Sequence, residues 1–440
     1  MADFNSGTQL IPEGGSGGDP AASTAADAGV RDQYVVRSLS TLEDAEVVNE
    51  VLTDAFGIEG LVDGTPGETF FEPARDQVAE FDGEPVANLA SFTRDMTVPG
   101  AVLPAAHLAM GAVRQLHRRR GLMTRLMHSQ LHDARYLHNE SFAVWWASEA
   151  RIYQRYGCGL SCQYSAFSID TREVRLKREP DPSAGRLRET TPALAQEEIR
   201  RAYESVLADR PGWSSRSGPW WNPVLQDPPP PMRQGYSALR ALLFEGPGGT
   251  EGYAIWRRKQ DWSGDIANGE VQVVELVSAT PAAYAALWQF LLSVDLTRTV
   301  RWDFAAVDEP LRLLVNEPRA LHSTVGDALW GRLVDLPVAL SSRRYSAPVD
   351  VVFEVTDAIL PENAGRWRLT TDGGATECVR TEDEPDFSCD ISDLSAAYLG
   401  GTSLGSLAAA GQVSELRPGT LAAASTAFGW PIAPSAPGLF

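Results

Sequence analysis

The apolar positions of the chain change period several times, and those changes divide it. Up to about residue 32, small and polar residues run without periodicity, as in "GGSGGDPAASTAADAG", which predicts a disordered tail over 1–32. From "QYVVRSL" onward the pattern is regular. Alternation predicts a strand at 34–38, and apolar spacing of three and four predicts a helix from Leu42 to Ala55. "QVAEFDG" and "PVANLASFTRDMTV" read as strands joined at Asp82-Gly83, with "HLAMGAV" as the next. Beyond Gly121, the positions Leu122, Met123, Leu126, Met127, Leu131 and Ala134 share one face of a helix that reaches Leu137. The strand "SFAVWWA", the short helix "EARIYQRYG" and a strand from Tyr164 to Ile169 complete an α/β unit, expected over 33–178, with a largely antiparallel sheet.

The Pro- and charge-rich link "KREPDPSAG" leads into a second unit, expected over 179–307. It holds a helix from Leu194 to Ala208, the strands "EGYAIWRRK" and "EVQVVELVSA", and the helix "PAAYAALWQFLLSV". The order strand, strand, helix repeats that of the first unit and implies an internal duplication. One feature is not repeated: "ELVSATPAAY" stands where the first unit has "AVRQLHRRRGLM". A third unit, expected over 308–440, begins with "DEPLRLLV" and "VGDALWGRLVD" and continues with the strands "VDVVFEVTD", "GRWRLTTDGG" and "FSCDIS" and the helices "LSAAYLGG" and "SLAAAG". Its pattern is α+β, and it offers no constellation of His, Cys or paired carboxylates.

Charge narrows the partners. A formal net charge of −20 disfavours nucleic acid and anionic membranes and favours cationic ligands. The four cysteines lack CxxC spacing and imply reduced thiols in the cytoplasm. No basic-then-apolar leader and no apolar run of eighteen residues appears, so neither export nor membrane insertion is expected.

Candidate chemistry concentrates in "VRQLHRRRGLMTRLM". Five arginines, Arg114, Arg118, Arg119, Arg120 and Arg125, fall within twelve residues of an acidic chain. A strand, then R-x-x-G, then a helix makes a pyrophosphate cradle: Gly121 lets the backbone approach, and the free N–H groups of the first helical turn point at the anion. Other patterns carry less. "Gly401-Thr402-Ser403-Leu404-Gly405" matches a nucleophile elbow, but no histidine follows it, the last being His322, so a helix junction of small residues is expected. His128 and His132 lie four apart, opposite the apolar stripe and without a third ligand, which reads as a solvated face, and no metal is expected. Cys158 and Cys162 read as packing thiols, and "PGWSSRSGPWWNP" as either a binding platform or a packed loop, with packing favoured. Asp54, Glu59, Asp63, Glu68 and Glu72 form an acidic segment.

"Arg118-Arg119-Arg120-Gly121-Leu122-Met123" resembles the R-x-x-G-x-[AG] loop of the GCN5-related N-acetyltransferases, with Met123 in place of the small residue. "VRQLHRRRGLM", "ASEARIYQRYGCG", "DALWGRLVDLPVAL", "YLGGTSLGSLAAAG" and the ending "FGWPIAP…F" resemble one branch of that superfamily, the enhanced intracellular survival (Eis) acetyltransferases of actinobacteria. The resemblance implies tandem acetyltransferase domains, the second degenerate, then a sterol-carrier-like domain, in a homohexamer. It implies acetyl-CoA as co-substrate, held by Gly111, Ala112 and Val113 along a strand, by Arg119, Arg120, Gly121, Leu122, Met123 and Thr124 at the pyrophosphate, and by Ser148 and Glu149 beside the acetyl group. The family's general acid falls on Tyr153 of "IYQRYGCG", where Tyr156 and Cys158 depart from the family's "IYxRFGYG". Its general base, the α-carboxylate of the last residue threaded back into the first domain, falls on Phe440. Asp54 and Phe56 fall on the acceptor side. The expected reaction is acetyl transfer to amines of cationic, aminoglycoside-like small molecules, the alternatives being a protein lysine acetyltransferase or a lipid-binding scaffold with a vestigial site.

Overall fold

Three large sheets carry the chain in this computed structural model, which describes residues 33–57 and 70–440. The tail expected over 1–32 and the acidic positions Glu59, Asp63 and Glu68 lie outside the described residues. The first sheet is ordered β1 (Tyr34–Ser38), β2 (Asp76–Phe81), β3 (Glu84–Val98), β4 (Ala101–Val113), β5 (Phe142–Trp146), then the strand Leu329–Leu333, then β6 (Gly159–Leu160). Strands β1 to β4 are antiparallel, as the short Asp82-Gly83 and Pro99-Gly100 connections require.

Period-two alternation sorts the residues of this sheet onto two faces. On one face Val78 and Ala112 pack against Val48, Val51 and Leu52 of helix α1 (Ala45–Phe56). On the other, Ala79, Ala87, Ala106 and Leu108 pack against Leu122, Leu126 and Leu131 of helix α2 (Leu122–Tyr136). Each helix therefore presents its apolar stripe to a different side of the same strands.

The second sheet corrects two expectations from the sequence. The strand expected to close the first unit is β7 (Gln163–Asp170), and it pairs instead with Thr297–Ala305 of the second sheet. The segment "VGDALWGRLVD" divides: Thr324–Asp327 joins β7 in the second sheet, while Leu329–Leu333 enters the first between β5 and β6. The two sheets thus exchange strands, because β5 has an open edge that the short β6 alone does not pair. The rest of the second sheet runs Gly269–Ser278, Gly249–Lys259, Arg240–Gly246 and Arg186–Thr190. The third sheet, centred on Val349–Thr356, is packed by the helices Leu336–Ser342, Ile391–Ala397 and Thr420–Phe428.

The inserted strand is anchored from the third unit. Arg332, fully buried, donates from Nη2 to both carboxylate oxygens of Asp357 at 2.7 Å, and Asp357 also accepts from the Ile359 and Leu360 backbone and from Asn363. Gly159 lies so close to helix Ile391–Ala397 that a Cβ there would sit 2.0 Å from the Ser392 carbonyl oxygen. Removing one member of the buried pair leaves the other charge uncompensated: Asp357→Ala is expected to destabilise the protein by about 3–5 kcal/mol, whereas Arg332→Met with Asp357→Leu recovers most of that loss. Urea denaturation of the three proteins measures the difference.

Candidate active site

Strands β4 and β5 run parallel but pair at only two positions, Ala106 with Ala143 and His107 with Val144. Beyond them β4 continues to Val113 and β5 to Trp146 without a shared ladder, so the strands open into a wedge. Unpaired backbone N–H and C=O groups there are available to an extended ligand. Gly111, Ala112 and Val113 occupy the β4 side of this opening, with Gly111 exposed.

The arginine loop closes the wide end. Arg114 still donates its backbone N–H to Val86, then a single turn over Gln115–His117 leads to Gly121, which takes φ 77 and caps the N-terminus of α2. A left-handed residue at this point costs glycine little, and it aims the first-turn N–H groups of α2 outward. Four arginines are tied to the frame: Arg114 donates to Glu50, Arg118 to the Val113 carbonyl, Arg120 to the Tyr34 hydroxyl and Leu116 carbonyl, and Arg125 to the Tyr34 carbonyl. Arg119, exposed and itself at φ 63, forms no hydrogen bond or ion pair among the described residues. A loop with positive charges prearranged and one left over suits a diphosphate. Met123, out of keeping with the small residue of the motif, lies against Gly111, its Cε 3.5 Å from where a Cβ would stand.

Past β5, Ser148 and Glu149 are exposed and lead into helix α3 (Ala150–Tyr153). Tyr153 packs in the α2-side core against the Trp145 ring, with centroids 5.3 Å apart. Burial pushes its hydroxyl above the usual range, an effect that hydrogen bonds with the Ser148 side chain and backbone partly offset. It is therefore protonated at neutral pH. Cys158 and Cys162 are buried with thiols pushed up by desolvation, Cys162 to about 12, so both are packing groups.

On the opposite face, the end of the chain returns to β4. Ala433 and Ser435 are tied to the second unit: Arg210 donates to the Ala433 carbonyl, the Ala433 N–H donates to Asp308, and the Trp213 indole donates to Ser435. Phe440 then lies edge-on to the His107 ring, centroids 4.7 Å apart, and 6.0 Å separates its ring centre from the Arg94 guanidinium carbon.

The sequence does not single out His107, Arg94, Ser214 or Trp220, and the structure gathers them here. His107 is fully buried, its Nδ1 2.9 Å from the Ala105 carbonyl and its Nε2 2.7 Å from the Ser214 hydroxyl. Desolvation, aided by Arg94, holds it well below the usual imidazole range and so neutral. Arg94 stacks on Trp220 at 4.4 Å and donates to the Ser214 and Ser215 carbonyls. Burial lowers its guanidinium to about 10, which leaves it cationic at neutral pH. The available signal is a lone histidine in the apolar run "HLAMGAV" and a separate Trp-rich loop.

Other candidates stand apart. Asp54 is exposed and accepts from the Gln115 backbone at the mouth of the arginine loop, and Phe56 is exposed at the end of α1. Glu72 is engaged by Thr93. Ser403 caps the helix Leu404–Ala409. His128 and His132 are not brought together with other ligands, and no group of metal-ligating side chains occurs among the described residues.

Three domain families match along the chain. An acetyltransferase (GNAT) domain family matches residues 36–161, a second acetyltransferase (GNAT) domain family matches 212–333, and a sterol carrier protein domain matches 336–437. An uncharacterized N-acetyltransferase of Streptomyces avermitilis is 40% identical over 400 residues, covering 90% of this chain and 97% of its own. N-acetyltransferase Eis of Mycobacterium tuberculosis is 29% identical over 333 residues, covering 72% of this chain and 76% of its own. The crystal structure of Eis1 from Mycobacterium abscessus superposes with a TM-score of 0.79 at 30% identity, covering 92% of this chain and all of that one. With Arg119 unengaged in the frame, Arg119→Ala is expected to weaken binding of an organic diphosphate such as ADP by about tenfold, with little change in melting temperature. Calorimetric titration at two salt concentrations reads both the loss and its electrostatic origin.

Proposed function

Because the chain belongs to the Eis-type GCN5-related N-acetyltransferases, we propose that it moves the acetyl group of acetyl-CoA directly onto amines of cationic small molecules, aminoglycoside-like in chemistry, with the Phe440 α-carboxylate as base and Tyr153 as acid. It is an N-acetyltransferase, and its GNAT domains imply acetyl-CoA as co-substrate. The observation that carries the mechanistic reading is the placement of Phe440 and Tyr153 on opposite faces of the β4–β5 wedge, Phe440 with the Ala105 and Val144 side and Tyr153 with the Ala106 and α2 side.

In this reading pantetheine lies along Gly111 to Val113, the pyrophosphate sits on Arg119 to Thr124, and the thioester lies between Ser148, Glu149 and β4. An ammonium acceptor is drawn in by the net negative charge of the protein and enters on the Phe440 face, the face that α1 also covers, with Asp54 and Phe56 of α1 proposed as acceptor-side residues. The ammonium first gives a proton to solvent; the free amine nitrogen then attacks the thioester carbon, and the second proton, acidic once the tetrahedral intermediate forms, passes to the Phe440 carboxylate. As the carbon–sulfur bond breaks, the Tyr153 hydroxyl gives its proton to the CoA sulfur, which leaves on the other face. No covalent enzyme intermediate is required. A hexamer belongs to the same proposal.

The test is CoA release from acetyl-CoA with a panel of aminoglycosides, polyamines and lysine peptides. Tyr153→Phe is expected to lower kcat by about 10²-fold, the lower end of general acid catalysis. Extension of the chain by a few residues past Phe440 is expected to abolish turnover while acetyl-CoA still binds. Full activity of the extended chain would remove Phe440 from the reaction, and preference for lysine peptides would replace the small-molecule acceptor.

A further inference from the structure

The bend in β4 beside the wedge poses an accounting problem. Asn88 of β3 pairs with Ala112 and Ala90 with Ala109, so Leu89 alone faces both Met110 and Gly111, a bulge in β4. Met110 adopts φ 56, a left-handed conformation unusual for a side chain of its size and one that the surroundings must enforce. Two carbonyls at the bulge take buried side-chain amides. Asn88 donates Nδ2 to the Met110 carbonyl at 3.2 Å, and Gln130 of α2 donates Nε2 to the Leu89 carbonyl at 2.9 Å.

Asn88 is itself wholly buried, and its Oδ1 has no hydrogen-bond partner among the described residues. The same holds for both carboxyl oxygens of Asp76, which is 1% exposed. Asp76 and Asn88 lie on adjacent strands and on the face covered by α1, since Asp76 pairs with Ala90 and Val78 with Asn88. Burial drives the Asp76 carboxyl well above the usual carboxylate range, and interaction with Asn88 and the Gln77 backbone offsets that only in part. A carboxyl that keeps its proton there donates it to the orphan acceptor beside it and leaves neither group uncompensated.

We infer that Asp76 and Asn88 are a positioning pair for acyl transfer, the Asp76 hydroxyl donating to Asn88 Oδ1 so that Asn88 Nδ2 is held on the Met110 carbonyl and the bulge keeps its shape. Neither residue touches the reacting atoms. Their effect passes through Met110 to the backbone of Gly111 and Ala112, the segment that faces the thioester. The inference rests on acetyl-CoA lying along β4, as proposed above.

The experiment compares Asp76→Asn, Asp76→Ala and Asn88→Leu for kcat, for the KM of acetyl-CoA and for melting temperature. An amide at position 76 still donates a hydrogen bond and carries no charge, so Asp76→Asn is expected to keep kcat within about twofold. Asp76→Ala and Asn88→Leu release the Met110 carbonyl and are expected to lower kcat by about tenfold or more, with the KM of acetyl-CoA within about threefold. Equal loss in Asp76→Asn and Asp76→Ala would overturn the inference by requiring an ionised carboxylate. An Asn88→Leu protein that melts earlier but keeps its kcat would overturn it too, reducing the pair to core packing. If Asp76→Ala does not fold, Asp76→Asn and Asn88→Leu still decide. An unaltered chain that neither binds acetyl-CoA nor releases CoA would overturn the functional reading itself, an outcome distinct from an active chain indifferent to Asn88.

Discussion

The site depends on β4 and β5 being hydrogen-bonded over Ala106–Ala143 and His107–Val144 and no further. Parallel strands left to themselves would go on pairing, because each unpaired rung leaves donors and acceptors to be satisfied. Two restraints hold them apart. The bulge at Met110 diverts β4, while β5 is tied along its whole length, Phe142 to Trp146, to the strand Leu329–Leu333 on its far edge. That strand is in turn fixed by Arg332 and Asp357, so the third unit stiffens one wall of a wedge that lies in the first. The strand exchange between sheets is therefore part of the site and not a detail of connection.

The second acetyltransferase-like unit has a different relation to the chemistry. Its own parallel pair, Gly269–Ser278 with Thr297–Ala305, runs over five positions from Gly269 to Val273. The cavity beside it measures about 210 Å³ and is lined by Trp213, Phe304 and Glu309 together with Ile432, Ser435 and Pro437 of the returning tail. That is below the roughly 300–1,000 Å³ of drug-sized ligand sites, and the chain ending occupies one side of it. What this unit contributes instead is a guide: its Pro211–Trp220 loop bonds the tail through Trp213 and the Pro211 carbonyl, and reaches β3 and β4 through Ser214, Ser215 and Trp220.

Local chemistry was legible and non-local pairing was not. The long β3 and β4 hairpin, the α2 stripe and the glycine that starts it all follow from periodicity and turn residues within a few positions. Sheet membership of β7 and of Leu329–Leu333 depends on which open edge is available elsewhere, and nothing within either segment encodes that. His107 gives no signal of its own because a single histidine among apolar residues more often fills a core, and here it does so as well, with both ring nitrogens engaged. The bulge is hidden for a similar reason. Gly111 invites a left-handed residue, yet the structure gives that conformation to its neighbour Met110, whose carbonyl meets the Asn88 amide across the strand.

The two faces of the wedge also explain why the chain ending is brought so far. On the α2 face the core is already filled by Trp145, Tyr153 and the apolar stripe of α2, with the arginine loop at its head. A base placed there would meet the departing sulfur and the phosphates before it met an amine. On the α1 face, the nearest inward positions of β4 and β3 are His107, whose nitrogens are both committed, and Arg94, a cation. Neither can accept the proton that the attacking amine nitrogen sheds from the tetrahedral adduct. On the proposed mechanism a group from outside the sheet serves that face, and the residue found against His107 and Arg94 is Phe440, whose aromatic ring meets the His107 ring edge-on. The apolar character of the tail then has a physical reason: it lets the Phe440 ring pack half-buried beside His107 and Arg94 at little desolvation cost.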